Sequence, residues 1–88
     1  MVKRKQLMDD LTEILSKSFK DAEVKLEGSS PSKVAGFLIW KKFEGVEQIK
    51  RQEMLDKVLK EHLTKEQLLK ITAILTVTPT EMTVVKEN

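Results

Sequence analysis

Eighty-eight residues, with 16 Lys and Arg against 14 Asp and Glu, carry a formal net charge of +2, which is not the total of a dedicated nucleic-acid binder. A chain of this size holds one modest core, and the lack of cysteine removes disulfides, thiol nucleophiles and cysteine-ligated metal from consideration. The longest apolar run, Val34 to Trp40, falls far short of the roughly 20 residues that cross a bilayer, and no charged, apolar and small-residue signal pattern opens the chain, so a cytoplasmic protein without membrane contact is expected.

Lys3, Arg4 and Lys5 precede Leu7, Met8, Leu11, Ile14, Leu15, Ser18 and Phe19, whose spacing predicts an amphipathic helix over about 4–20. Three cations oppose the dipole at its start. Residues 1–5 are therefore expected to fray, and the basic cluster reads as a solvated terminus rather than a nucleic-acid arm. Ala22 to Glu27 alternates strictly between apolar and charged residues, the pattern of a half-buried strand at the border of a sheet. Gly28-Ser29-Ser30-Pro31-Ser32 is rich in turn formers and predicts a hairpin to a second strand over about 34–41.

That second strand is apolar on both faces, with Val34, Leu38 and Trp40 on one and Ala35, Phe37 and Ile39 on the other, so it is predicted to be central or covered on both sides. Core packing is the expected role of both sets. A face left open would expose Phe37 with Ile39, or Leu38 with Trp40, as a contact surface.

After Lys41-Lys42-Phe43-Glu44-Gly45, the residues Val46, Ile49, Leu55, Val58, Leu59, His62 and Leu63 fall on one stripe of a long helix. Glu47 and Arg51, Glu53 and Lys57, and Asp56 and Lys60 stand four apart with the acid first, the better order for ion pairing along a helix. Such pairs cancel much of the positive field and argue against a phosphate-binding ridge. Thr64 to Gln67 has capping-box form and starts a short helix. Ile71 to Val77 is β-branched almost throughout and predicts a third strand with Ile71, Ala73, Leu75 and Val77 on one face. Pro79 ends it. Residues 80–88 are ambiguous by pattern: Met82, Val84 and Val85 are able to pack, while the alternative is a terminus that frays over 84–88.

The order helix, strand, strand, helix, short helix, strand predicts a single α+β domain with a core over about 7–82. A hairpin joins the first two strands, and a helical crossover lets the third run parallel to the second in a three-stranded mixed sheet. No catalytic constellation is visible: the chain has one His, no Cys and no Tyr, and Asp9 with Asp10 or Glu13 reads as helix-surface charge. A non-enzyme is expected. His62 is the one imidazole and the one candidate for a metal, and it reads as a packed, hydrogen-bonded residue, because one imidazole without other donors makes no metal site.

Phe43-Glu44-Gly45, Arg51 six residues after that glycine, then Met54, Leu55, Leu59 and Leu63, and finally Thr78-Pro79-Thr80-Glu81 together resemble the signature of the BolA family, over about residues 7–82. The resemblance implies a fold similar to class II KH domains. It also implies partnership with monothiol glutaredoxins in iron–sulfur cluster handling and, for some members, DNA binding in transcriptional control. In the family a His follows the helix Arg and a second His, a cluster ligand, opens the last strand. Here Gln52 holds the first position, and Lys70, Ile71 and Thr72 stand around the second. The hairpin loop from Gly28 to Lys33 has neither His nor Cys, so these positions supply none of the thiolate or imidazole donors a cluster needs. The Gly-x-x-Gly phosphate grip of true KH domains has no counterpart in Glu61 to Glu66, which contains no glycine. Glu44 and Glu47 at the start of the long helix also disfavour a phosphate there.

The expectation is a non-catalytic adaptor or regulator with no cofactor of its own, a monomer or weak homodimer. The resemblance implies a monothiol glutaredoxin as protein partner, with or without a shared iron–sulfur cluster. The alternative is a DNA-binding transcriptional regulator with a basic patch around the Gly45 turn and the long helix. The candidate contact residues are Lys41, Lys42, Gly45, Lys50, Arg51 and Lys70, with Lys33 beside them if the hairpin folds back.

Overall fold

The computed structural model describes residues 4–30 and 32–87, residues 30 and 84–87 by their backbone alone. The elements are α1 (Arg4–Ser18), β1 (Glu23–Ser30), β2 (Lys33–Ile39), a short 3-10 turn (Lys41–Phe43), α2 (Gln48–His62), α3 (Lys65–Leu69), β3 (Ile71–Val77) and α4 (Pro79–Glu87). The sheet has the order β1-β2-β3, with β1 antiparallel and β3 parallel to the central β2. This is the predicted α+β arrangement with a mixed sheet.

One face of the sheet is packed by α1 and α2. Leu7, Leu11 and Leu15 recur one turn apart on α1, and Phe19 continues their line past its end. All four are buried with Val34 and Leu38 of β2, Phe43, Leu55, Leu59, Leu63 and Ile74. Each such side chain removed from water contributes about 1.5–3 kcal/mol before entropy is counted. Trp40 seals the end of this layer. Its ring meets Phe19 and Phe43 edge-on, with centroids 5.1 Å from each, and its indole N–H donates to the Lys20 carbonyl at 2.8 Å.

Helix α1 begins at Arg4, and Lys3 lies outside the described residues. The Arg4 guanidinium folds over Gly28 of the hairpin, where an added Cβ would come within 2.7 Å of its Cζ. Arg4 thus lies over the hairpin while remaining exposed.

Three expectations are corrected. On α2, Ile49 is 66% exposed and His62 is exposed, while Arg51 is buried with Leu55 and Leu59. The inward stripe runs through Gln48, Arg51 and Gln52 before it reaches the leucines, so its first half is polar. On β3 the inward residues are Ile74 and Thr76, and Leu75 is 50% exposed. A bulge sets Val34 opposite Ile71 but Ala35 opposite Ala73, and the extra residue, Thr72, changes which side chains face α2. Finally, the i, i+4 ion pairs expected along α2 are not formed. The ion pairs among the described residues are Lys17 with Glu13, Lys25 with Glu23, and Arg51 with Glu81.

The stretch after Pro79 is a helix. Thr78 precedes it as N-cap, Pro79 takes the first helical position, where a missing N–H costs nothing, and Glu81 stands at the third. The Thr78 N–H donates to Glu81 Oε1 at 2.7 Å and the Glu81 N–H to Thr78 Oγ1 at 3.2 Å, a reciprocal capping box. Met82 is buried on the sheet face opposite α1 and α2, among residues that include Ile39 and Phe37. Ile39 is therefore covered and Phe37 half-buried, so neither face of β2 is an open apolar surface. The side chains of Val84 and Val85 lie outside the described residues.

Gly45 joins the 3-10 turn to α2 with φ of +81°, and no atom lies within 4 Å of where its Cβ would stand. Substitution there meets only the backbone penalty of the left-handed region. Gly45→Ala is expected to cost about 1–2 kcal/mol, measured as a shifted urea midpoint at unchanged slope.

Candidate functional site

Several of the residues that carry the resemblance, Phe43, Gly45, Thr78 and Glu81, surround one guanidinium, that of Arg51. The Gly45 turn places Val46 just ahead of α2, and Arg51, one turn in from the start of that helix, reaches back so that its Nε donates to the Val46 carbonyl at 2.8 Å. One terminal nitrogen donates to Glu81 Oε1 at 2.7 Å and, at 3.3 Å each, to the Thr76 carbonyl and Gln48 Oε1. The guanidinium carbon lies 5.7 Å from the Phe43 ring centroid. Beside it Thr76, fully buried, accepts at Oγ1 from the side-chain amides of Gln48 at 2.8 Å and Gln52 at 3.0 Å. No buried side-chain nitrogen or oxygen among the described residues is left without a partner.

This node ties the start of α2, the last residues of β3 and the cap of α4 together. Glu81 serves both neighbours with one oxygen, closing the α4 cap and pairing with Arg51. The hydrogen bond from Arg51 first, and that from the Thr78 N–H second, hold its carboxyl below the ordinary value of 4.5. The guanidinium is spent on hydrogen bonds to the Val46 and Thr76 carbonyls and on one ion pair within the fold. Its chemistry is that of a clamp.

The candidate contact residues do not form one patch. Lys41, Lys42, Gly45 and Lys50 are exposed at the end of the sheet where β2 and β3 finish, with Ile49 among them, and the Lys42 ammonium lies 5.7 Å from the Trp40 ring centroid. Arg51 is 6% exposed, with its Nε and one terminal nitrogen bonded inside the fold, so it stands apart from the exposed lysines. Lys70 and Lys33 sit at the opposite end, where the Val34 N–H donates to the Lys70 carbonyl, roughly 20 Å away along seven residues of strand. Glu81, Gln48 and Thr76 were not singled out as site residues from the sequence. The signal for Glu81 was present in Thr78-Pro79-Thr80-Glu81, which has the capping-box spacing found also at Thr64.

No protein-family model matches the chain, and no curated protein matches its sequence. Its structure is similar to that of BolA1 from Arabidopsis thaliana, at 21% identity over 92% of this chain and 96% of that one with a TM-score of 0.60. It is likewise similar to a bolA protein homologue from Coxiella burnetii, at 20% identity over 94% and 99% with a TM-score of 0.64. The chain has the BolA fold. The likeness extends over nearly the whole length of each chain, so the fold includes α1 and the hairpin as well as the helical crossover.

The positions to which the resemblance points for a cluster ligand carry other side chains. Cysteine is absent from the sequence, and no group of three His, Asp or Glu among the described residues could hold a metal ion. The start of β3 is Ile71-Thr72, and Thr72 Oγ1 is hydrogen-bonded to Ser29 Oγ at 2.7 Å. Gln52 is turned inward onto Thr76. His62 is exposed at the far end of α2 with Nδ1 set 2.9 Å from the Val58 carbonyl, which leaves one ring nitrogen and no second donor. No helix of the described residues is long and apolar enough to cross a membrane.

Proposed function

We propose that this BolA-fold protein works without catalysis, as an adaptor or regulator that offers a rigid surface to a protein partner. A monothiol glutaredoxin is the partner class to which the resemblance points. The observation that carries the reading is the mixed patch at the start of α2. Ile49 is a large apolar side chain 66% exposed, and Lys41, Lys42 and Lys50 surround the same turn. The Arg51 clamp supports it by fixing that turn to the sheet and to α4, so that little ordering entropy opposes docking. In a complex of this kind the chain brings no cluster ligands, and any cluster is held by the partner's donors alone.

The test is titration with a monothiol glutaredoxin, followed by anaerobic cluster reconstitution. A binary complex should form, and Ile49→Asp should weaken it at least about tenfold, as loss of a buried interface anchor does. The reconstituted absorbance should match that of the glutaredoxin by itself. A stable mixed cluster whose spectrum depends on this chain would overturn the ligand-free part of the reading, and no complex would remove glutaredoxin as the partner.

DNA binding is the second reading, and Lys41, Lys42 and Lys50 are the observation in its favour. With Arg51 committed to the interior these three phosphate contacts predict a salt slope of only about −2.7, weak for a regulator. Mobility shift at low salt, compared with Lys42→Glu plus Lys50→Glu, decides it; binding unaffected by the double charge reversal excludes this patch.

A further inference from the structure

The two edges of the sheet differ in kind. β1 lies at one edge and carries Glu23, Lys25 and Glu27, the charges with which natural sheets keep an edge from pairing with another chain. β3 lies at the other, and its residues, Ile71 to Val77, include no charge and no proline. The long helix closes only one end of this edge. The Val77 carbonyl accepts from the Trp40 N–H, so alternate residues of β3 turn toward β2 and those between turn outward. Thr76 is one of the outward residues, and Gln48 and Arg51 take its carbonyl. Ile74 is the next; it is 4% exposed, and among the described residues no helix or loop group hydrogen-bonds to its N–H or C=O. Alongside it α2 and α3 stand back from the strand, leaving an open groove of about 410 Å³ floored by Leu55, Leu59 and Leu68. Asp56 is its one ionised lining residue.

We propose that the open edge of β3 takes up an extended peptide of another protein as a fourth strand, with a basic side chain of that peptide set against Asp56 and apolar ones over Leu55 and the half-exposed Leu75. This mode of recognition draws affinity from main-chain hydrogen bonds and selectivity from alternate side chains. It rests on the adaptor reading and names the chemistry of a partner segment. Charge selects this occupant. A nucleic acid would set phosphates beside Asp56 with no lining cation to receive them. A second copy of the chain, pairing through its own β3, would bring no positive side chain and a second Asp56.

The test is selection of random short peptides displayed against the protein, with the winners synthesised and titrated. Enriched sequences should alternate apolar with basic residues and slow hydrogen exchange at the Ile74 amide. They should bind Asp56→Lys up to about fivefold more weakly, the most that loss of an exposed ion pair gives. The inference is overturned if no peptide is enriched, if the enriched peptides are acidic, or if Ile74 exchanges unchanged in their presence. Protection of Ile74 by oligouridylate, or by self-association of the protein alone, overturns it equally. A glutaredoxin complex that forms while Asp56→Lys and the Ile74 amide are indifferent to every peptide sinks this inference and leaves the adaptor reading standing. Peptide binding at the edge without any glutaredoxin complex does the reverse for that partner.

Discussion

Arg51→Met is expected to lower stability by about 2–3 kcal/mol, a loss typical of leaving buried hydrogen-bonding groups without their partner. Methionine replaces most of the arginine stem, so the cost lies in the polar groups left behind. The Val46 carbonyl loses its side-chain donor and the Thr76 carbonyl keeps only the longer bond from Gln48 at 3.4 Å, and a part-buried acceptor left without a partner costs more than the bond was worth when made. Lysine is no remedy, because one ammonium cannot reach back to Val46 and forward to Glu81 as the planar guanidinium does. Glu81→Gln separates charge from geometry, since glutamine can still close the α4 capping box. The Glu81 side chain is 48% exposed against 7% for Arg51, so water screens that end of the pair, and Glu81→Gln should cost only about 1 kcal/mol.

Acid reveals the same pair. The Glu81 carboxyl is held below 4.5 in the folded protein by Arg51 and the Thr78 N–H. The unfolded chain therefore takes up the proton first, and the stabilisation is fully present above pH 4.5 and lost as pH falls through the lower, folded value. Urea midpoints of wild type and Glu81→Gln should differ at neutral pH and converge in acid. In the Arg51→Met background, where the larger cause of the depressed carboxyl is gone, the gap should be small at every pH, and the two substitutions together should cost less than their sum. Strict additivity would mean that Arg51 and Glu81 are not coupled.

Periodicity disclosed most of this fold because most of it obeys one period at a time. Leu7, Leu11 and Leu15 repeat on a helix, and Ala22 to Glu27 alternates on an edge strand, so each assignment had one answer. Strand β3 did not, since Ile71, Ala73 and Leu75 on one parity and Ile74 on the other are all apolar. The choice between them was made by a bulge against β2, which no local pattern carries. The same limit applies to Arg51. By spacing its acid partner is Glu47, one turn away, whereas the partner lies thirty residues on in a capping box, and a polar stripe at the head of α2 reads as a solvated face until β3 is placed beneath it. Gly45 and Thr78-Pro79-Thr80-Glu81 stood out in the sequence as parts of a signature, and their common physical cause is the guanidinium they surround.

Gly36→Ala is the second large expected loss, and it tests how closely the hairpin strands approach. Gly36 lies in the central strand, opposite Leu26 of β1 and beside Ile74 of β3, between the fully buried Val34 and Leu38. A Cβ there would meet the Lys25 carbonyl oxygen and stand 2.9 Å from both the Leu26 Cα and its Cδ2. Two of those three atoms are backbone held by the hairpin ladder, so relief requires the strands to part along a face packed by α1. Overpacking of this kind costs up to about 3 kcal/mol, and in a domain of this size each kcal/mol lowers Tm by roughly 4–8 °C. Gly28→Ala is the control, because the Cβ at that end of the same hairpin meets only the Arg4 guanidinium, the far end of a flexible side chain that can swing aside. Trp40, the single tryptophan and itself packed into the aromatic cluster, reports both unfolding transitions by fluorescence. Gly36→Ala should unfold at a markedly lower urea concentration and Gly28→Ala close to wild type; equal midpoints for the two would mean that β1 and β2 do not pass as closely at Gly36 as the structure has them.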